Sequence, residues 1–372
     1  MRIRAVQQER RGMASAAPQQ GLFLGHPEGT ASVADGAGAA GVYFLANDRI
    51  LPWSKSFVRS FRAHNPDLPL CLIPFDDHAV ETRELVRHAG GTVLEMPEVF
   101  ARLERIGASL ELGHTNSGKF WFRRYAAFSG IYDSFLYLDA RIVVLADLTF
   151  FTLAPQQYEM DLVYYDTAIE QVYNPGPIRQ GFVRAGRGRG FLSGMWASRK
   201  GLFSLEQMEA AGRKLCEVRQ EMNARNTDQF FINYLCDSNQ VKTAHVAALG
   251  GGLTNSTWAR NCPEVYRDAK GTWRIWDFGR LQHGRRLPFM HWAGIALGPS
   301  MPHFRLFQNF QRLRGSPLLS AWILASGFPG HALNAVRSNR LFNQLYHRFG
   351  AWRRSFCSQN KTRGDSPSDG LS

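Results

Sequence analysis

Short apolar runs that stop at an acidic residue recur along this chain, and they restrict its fold more than any other feature. GVYFLA at 41–46 leads to Asn47 and Asp48. LCLIPF at 70–75 leads to Asp76 and Asp77, SFLYL at 134–138 to Asp139, and LVYY at 162–165 to Asp166. Unbroken apolar runs of this length suit strands buried on both faces. Helical patterns lie between the first of them. Pro52 opens one with Trp53, Phe57, Val58 and Phe61 on a single face, closed by Asn65–Pro66. Another runs from Val80 to Ala89, stops at Gly90–Gly91 and precedes a strand at 92–95. Strand and helix in alternation predict an α/β fold: a mostly parallel sheet wound by right-handed crossovers, with helices on both faces.

Further along, a helix is expected at 117–128, carrying Lys119, Arg123 and Arg124. A strand follows the Ala140–Arg141 break at 142–145. A Gly-, Pro- and Arg-rich loop spans 174–190, and a strand is expected at 191–198. Helices at 205–224 and 228–236, then strands at 241–246 and 287–292, complete the pattern. Beyond Pro302, Phe304, Phe307, Phe310 and Leu313 recur at three-residue spacing on a basic, helical stretch. The expected organisation is a disordered tail at 1–40, with Met13 as a second candidate start, and one domain at 41–300. A basic helical extension at 301–357 and a disordered tail at 358–372 follow.

Charge is unevenly spread. Thirteen basic residues and no acid lie between Asp277 and Asp365, which accounts for the whole net charge of +13. Arg mixed with Phe, Leu and Trp over 302–357 suits an anionic membrane surface. No nucleic-acid motif accompanies it, so no nucleic acid is expected as a partner. No apolar run reaches the roughly 20 residues that span a bilayer. The five cysteines, Cys71, Cys216, Cys236, Cys262 and Cys357, are scattered and form no metal clip. They suit a reducing compartment and a cytoplasmic protein; the basic stretch at 302–357 would make it peripheral at the inner membrane face.

In an open α/β sheet, ligands bind beyond the carboxyl ends of strands, where Asp76–Asp77, Asp139 and Asp166 fall. A carboxylate at a strand tip followed by a kink can hold a divalent cation on a diphosphate. The segment YLDARIVVLADL at 137–148 resembles the Y-L-D-x-D segment of family 8 glycosyltransferases, which have the GT-A fold. KFWFRRYAAF at 119–128 resembles their basic helix, FLSGM at 191–195 their F-N-x-G strand, TDQFFIN at 227–233 their D-Q-x-x-x-N helix, and HWAG at 291–294 their late H-x-x-G. YFLAND at 43–48 suits their first strand. The motifs occur in the family's order over about residues 41–297.

The resemblance implies transfer of a sugar from a nucleotide-diphospho-sugar to an unknown sugar, lipid or protein acceptor. Asp228 and Gln229 would face the anomeric carbon, with Asp166 near the sugar. Ala46 and Asn47 would line base and ribose. Asp77, Lys119, Arg123, Asp139, Ala140, Arg141, Ser193, Gly194 and Gly294 would contribute to the donor pocket. Asp139 and His291 would hold Mn2+ or Mg2+. The chain departs from the family at Arg141, which replaces the second metal carboxylate. A guanidinium there repels a divalent cation by about 4 kcal/mol per unit charge at ~4 Å and an effective dielectric of roughly 20. The expectation is an enzyme in which Arg141 binds the diphosphate in place of the metal, helped by Lys119, Arg123 or Arg285. The alternative keeps the fold without transfer, as a membrane-associated binding or scaffolding module.

Overall fold

The computed structural model describes residues 39–112, 118–223, 225, 227–277 and 281–311. Eleven strands are described: β1 (Ala40–Ala46), β2 (Leu70–Pro74), β3 (Thr92–Val93), β4 (Ser134–Asp139), β5 (Ile142–Val144), β6 (Leu162–Tyr164), β7 (Met195–Arg199), β8 (Thr243–His245), β9 (Glu264–Arg267), β10 (Trp273–Trp276) and β11 (Phe289–His291). The helices are α1 (Leu51–His64), α2 (Val80–His88), α3 (Pro97–Ser109), α4 (Thr149–Gln157), α5 (Pro177–Arg184), α6 (Leu205–Glu217), α7 (Gln229–Ser238) and α8 (Phe304–Phe310).

The main sheet has seven strands in the order β3-β2-β1-β4-β7-β6-β8. All its pairings are parallel except those of β7, which runs against both β4 and β6. The chain leaves β1 toward β2 on one side and later returns to place β4 on the other. The carboxyl ends of β1 and β4 therefore border a topological switch point, where open α/β sheets form a crevice. Because β7 is reversed, its amino end arrives where β4 ends. The Asp139 N–H donates to the Gly194 carbonyl at 2.9 Å.

Alternate residues of β1 serve the two faces of the sheet, as strand geometry requires. Tyr43 and Leu45 join α3, α6 and α7 on one side. Val42, Phe44 and Ala46 join α1 and α4 on the other. Pro52 starts α1 with its fixed φ, and the helix buries Trp53, Phe57, Val58 and Phe61 as its spacing predicts. A smaller antiparallel pair, β5 with β11, and the β9–β10 hairpin complete the described strands.

Several expectations are corrected. Residues 118–129 form a 3-10 stretch rather than an α-helix. It lies close on α3, where a Cβ on Gly107 would come within 2.7 Å of the Lys119 Cα. The strand expected from 191 begins at Met195. The helix expected to reach 224 ends at Glu217 and is followed by a single 3-10 turn. The 174–190 segment holds α5, whose first turn is secured when the Ile178 N–H donates to the Glu221 carboxylate at 2.6 Å. The helix α3 and the β9–β10 hairpin were not foreseen.

The core also runs past residue 300. Leu306 and Phe307 of α8 are buried with Trp53 and Trp292, and the Trp292 indole N–H donates to the Pro302 carbonyl at 2.7 Å. The expectations for 1–38 and for everything beyond Gln311 lie outside the described residues. Phe307→Ala is expected to cost about 3–5 kcal/mol in urea denaturation, as for a buried aromatic. A cost under about 1 kcal/mol would show that α8 does not belong to this core.

Candidate active site

A cavity of about 700 Å³ opens at the crevice beyond β1 and β4. Its floor centres on Arg124 and Asp139. Arg124 stands on the 3-10 stretch, where residues three apart share a face. Trp121 and Arg124 accordingly both line the cavity, while Phe122, Tyr125 and Phe128 turn into the core. Arg123 falls on another face. It pairs with Glu104 at 2.6 Å and with the outward-pointing Asp77 at 3.4 Å.

The Arg124 guanidinium is buried and reaches two carboxylates. It lies 3.5 Å from Asp139 Oδ1 and 3.3 Å from Asp228 Oδ2. It also donates to the Ser193 carbonyl and hydroxyl, each at 3.0 Å, and to the Trp121 carbonyl at 3.2 Å. Its face rests over the Tyr137 ring, 5.1 Å from the centroid. Asp228 is fully buried at 0% exposure. It accepts from Tyr125 Oη and from Ser193 Oγ. Asp139 accepts from Tyr137 Oη at 3.0 Å, and His291 Nε2 stands 3.5 Å from its Oδ2.

Burial alone would raise the Asp139 pKa, but the Arg124 guanidinium and the His291 hydrogen bond outweigh it, bringing the pKa to about 2. Burial works against the Arg124 charge too. Asp228 first, then Tyr137 and Asp139, overcome that and raise its pKa. Burial pushes the Tyr125 and Tyr137 hydroxyls up, so both remain donors. One guanidinium thus stands between two carboxylates, one at the cavity and one buried behind it.

Glycine is required at 194. A Cβ there would meet His291 Cε1 at 2.5 Å and Asp139 Oδ2 at 3.1 Å. Above the floor, Arg49, Arg141, Arg225 and Arg260 also line the cavity. They come from four separate segments.

Of the residues named from sequence, Asn47, Asp139, Ala140, Arg141, Ser193, Gly194, Gln229, His291 and Gly294 line this cavity. Asn47 is fixed there because its amide donates to the buried Asp76 at 2.8 Å. Ala46, Asp77, Lys119, Arg123, Asp166 and Asp228 are not among the lining residues. Lys119 instead sits over the Phe120 ring. Asp166, with φ at 50°, accepts from Ser256 Oγ at 2.6 Å and from the Thr257 N–H and hydroxyl at 2.9 and 2.6 Å. It thereby secures the segment that brings Trp258 and Arg260 to the cavity. Arg285 turns to the Leu253 and Leu281 carbonyls. Sequence reasoning missed Trp121, Arg124, Trp258, Arg49, Arg225 and Arg260. Only the first two carried a signal, their three-residue spacing.

The donors at this place do not fit a divalent cation. Asp139 and His291 offer one carboxylate and one imidazole, and Arg124 already meets the carboxylate charge. Arg141, two residues after Asp139, adds a further cation to the same lining. Among the described residues, no group of three or more His, Cys, Asp or Glu side chains is placed to share a metal.

No protein-family model matches the chain, and no curated protein matches it. Among solved structures, it is similar to a galactosyltransferase in complex with donor and acceptor sugar analogues, at 15% identity and a TM-score of 0.45, over 74% of this chain and 97% of that one. Mouse xyloside xylosyltransferase 1 is similar at 10% identity and a TM-score of 0.39, over 55% and 84% of the two chains. Core-mannan synthase A from Aspergillus fumigatus, in a Mn/GDP form, is similar at 10% identity and a TM-score of 0.36, over 74% and 88%.

Removing Arg124 leaves Asp228 charged and unpaired inside the fold. Arg124→Met is expected to cost about 3–5 kcal/mol in urea denaturation. The double variant Arg124→Met/Asp228→Asn is expected to regain part of that loss, because the stranded charge goes with it. A double variant that loses the sum of the Arg124→Met and Asp228→Asn costs would show that the pair is not coupled.

Proposed function

We propose that the cavity receives a nucleotide-diphospho-sugar and that the chain transfers the sugar to an acceptor hydroxyl without a divalent metal. The observation that carries this reading is the placement of Arg49 and Arg141, together with Asn47, on one cavity at the crevice beyond β1 and β4. Guanidiniums suit phosphoryl oxygens and keep their charge at any working pH.

In the transfer, the bond between the anomeric carbon and the phosphoryl oxygen breaks, and its electron pair stays with the diphosphate. The acceptor oxygen bonds to the carbon and gives up its proton to the departing phosphoryl oxygen or to water. Charge therefore separates, with a cationic sugar carbon and an anionic leaving group. The cavity offers groups of both signs: Asp139 for the developing cation, and Arg141 and Arg49 for the leaving diphosphate. Preorganised charge of this kind is worth about 100- to 1000-fold in rate per group. Gln229, in the first turn of α7, lines the cavity, whereas Asp228 is fully buried. Gln229 is thus the member of that pair placed to meet the sugar, and Asn47 the residue placed to meet the nucleoside.

One observation favours binding without transfer. Asp166 and Asp228, the carboxylates the sequence resemblance would place at the sugar, are both committed to hydrogen bonds within the fold. Both readings require nucleotide binding, and turnover separates them. A panel of nucleotide sugars is expected to yield one that raises the melting temperature and is turned over, with full activity in EDTA. Arg141→Ala is expected to lower kcat about 100-fold or more. Activity abolished by EDTA and restored by manganese would overturn the metal-free route. Binding with no turnover of any sugar would leave the binding module.

The proposal places the protein in the cytoplasm, at the inner face of an anionic membrane through residues 302–357, where a lipid-linked acceptor would be met. No helix among the described residues is long and apolar enough to cross a membrane. The chain is expected to float with anionic liposomes and not with neutral ones. Equal behaviour with both would remove the membrane from the proposal.

A further inference from the structure

Four of the cavity's guanidiniums have no carboxylate partner among the described residues: Arg49, Arg141, Arg225 and Arg260. Elsewhere Arg83, Arg102, Arg123, Arg219 and Arg274 each pair with an Asp or Glu, while others, such as Arg59 and Arg62, reach backbone carbonyls. What sets these four apart is that they line one cavity together.

These four stand at different depths and places. Arg141 is half-buried, just past Asp139 at the end of β4. Arg49 is exposed, just past the end of β1. Those strands are neighbours, with Leu45 opposite Asp139, so the two arginines flank one crevice. Arg225 and Arg260 are also exposed and reach the cavity from other segments of the chain. Arg225 follows Asn223, which is held to Val172 and Glu170 by hydrogen bonds of 3.0 and 2.9 Å. Arg260 follows Ala259, whose N–H donates to the His291 carbonyl at 2.8 Å.

A nucleotide-diphospho-sugar carries one negative charge on each of its phosphoryl groups. Arg49 and Arg141 suffice to meet them. Arg225 and Arg260 are then left over, exposed to the solvent from which an acceptor must come. Trp258 lines the same wall and offers an aromatic face beside them. A neutral acceptor would make no use of either charge. An acid would be gripped by them in charge-assisted pairs. We infer that the acceptor is anionic: a sugar or sugar-lipid bearing a carboxylate or phosphate group, held by Arg225 and Arg260. The inference rests on the donor-site reading above and adds the chemical class of the second substrate.

Calorimetric titration tests the two separately. UDP, GDP, ADP, CDP and dTDP are titrated first, and the tightest is kept saturating. Glucose, glucuronic acid and glucose 6-phosphate are then titrated into that complex. At least one of the two anions is expected to bind ten-fold or more tightly than glucose, by about one decade of Kd. Binding of glucuronic acid alone marks a carboxylate acceptor, and of glucose 6-phosphate alone a phosphorylated one. Arg225→Gln and Arg260→Gln, both at exposed positions that leave the core intact, are each expected to weaken the anion about ten- to hundred-fold. They are expected to change nucleotide affinity by less than about threefold. Anions binding no better than glucose, or unaffected by both substitutions, would overturn the inference while the donor site stands. Both variants losing nucleotide affinity instead would also overturn it, because the two arginines would then belong to the donor. Failure of every nucleotide to bind would overturn donor site and inference together.

Discussion

A single buried guanidinium holds the floor of the cavity together. Asp228 has no exposed surface, and a carboxylate in that position can stay charged only beside a fixed cation. Arg124 supplies that cation, and its remaining reach goes to Asp139 at the cavity. The position of Asp139 is therefore set from inside the protein. Tyr137, beneath the guanidinium, both supports its face and donates to Asp139. Ser193 accepts from Arg124 and donates to Asp228, closing the circuit through the loop before β7. Each member has its partners within the network, as a buried polar cluster must if it is to stabilise rather than strain the fold.

The topology explains why this circuit can form. The reversed strand β7 lies between β4 and β6, so residues before its start meet residues at the end of β4. Ser193 and Gly194 come from the first group, and Asp139 from the second. His291 arrives through the β5–β11 pair, directly after the Ala140–Arg141 kink. Three separate segments then crowd one point, and only glycine fits at 194. The residue that seems least chemical in FLSGM is the one that permits the contact.

The buried strands were legible in the sequence because an unbroken apolar run followed by an acid has few other uses. So were Asp139, Arg141 and His291 as neighbours of one cavity. The basic segment was located correctly and oriented wrongly. An α-helical reading gives no reason to prefer Arg124 over Arg123, whereas a three-residue repeat puts Arg124 with Trp121 at the cavity and Arg123 with Glu104. Asp166 and Asp228 carry the right chemistry at the right places in the chain. Their hydrogen-bond partners, Ser256 and Thr257 for one, Tyr125 and Ser193 for the other, are distant in sequence, so their inward commitment could not be read. The helix α5 was hidden by its glycine and proline, since its support comes from Glu221, well beyond it. Arg225 and Arg260 sit in loops with no periodicity at all.

Net charge misleads about where this protein meets an anion. The whole excess of positive charge lies between Asp277 and Asp365, and the rest of the chain is neutral overall. Yet all five arginines of the cavity, Arg49, Arg124, Arg141, Arg225 and Arg260, come from before Asp277. Folding separates the charges of that neutral part. Many acids pair with arginines away from the cavity, as Glu95, Glu104, Glu111, Glu206 and Asp268 do. Others accept backbone N–H groups, as Asp48 does from Glu81 and Thr82. The cavity keeps Arg49, Arg141, Arg225 and Arg260 without carboxylate partners among the described residues, beside the Arg124–Asp139 pair. A local field of that shape depends on which residues the sheet brings to its switch point, and composition along the chain carries no trace of it.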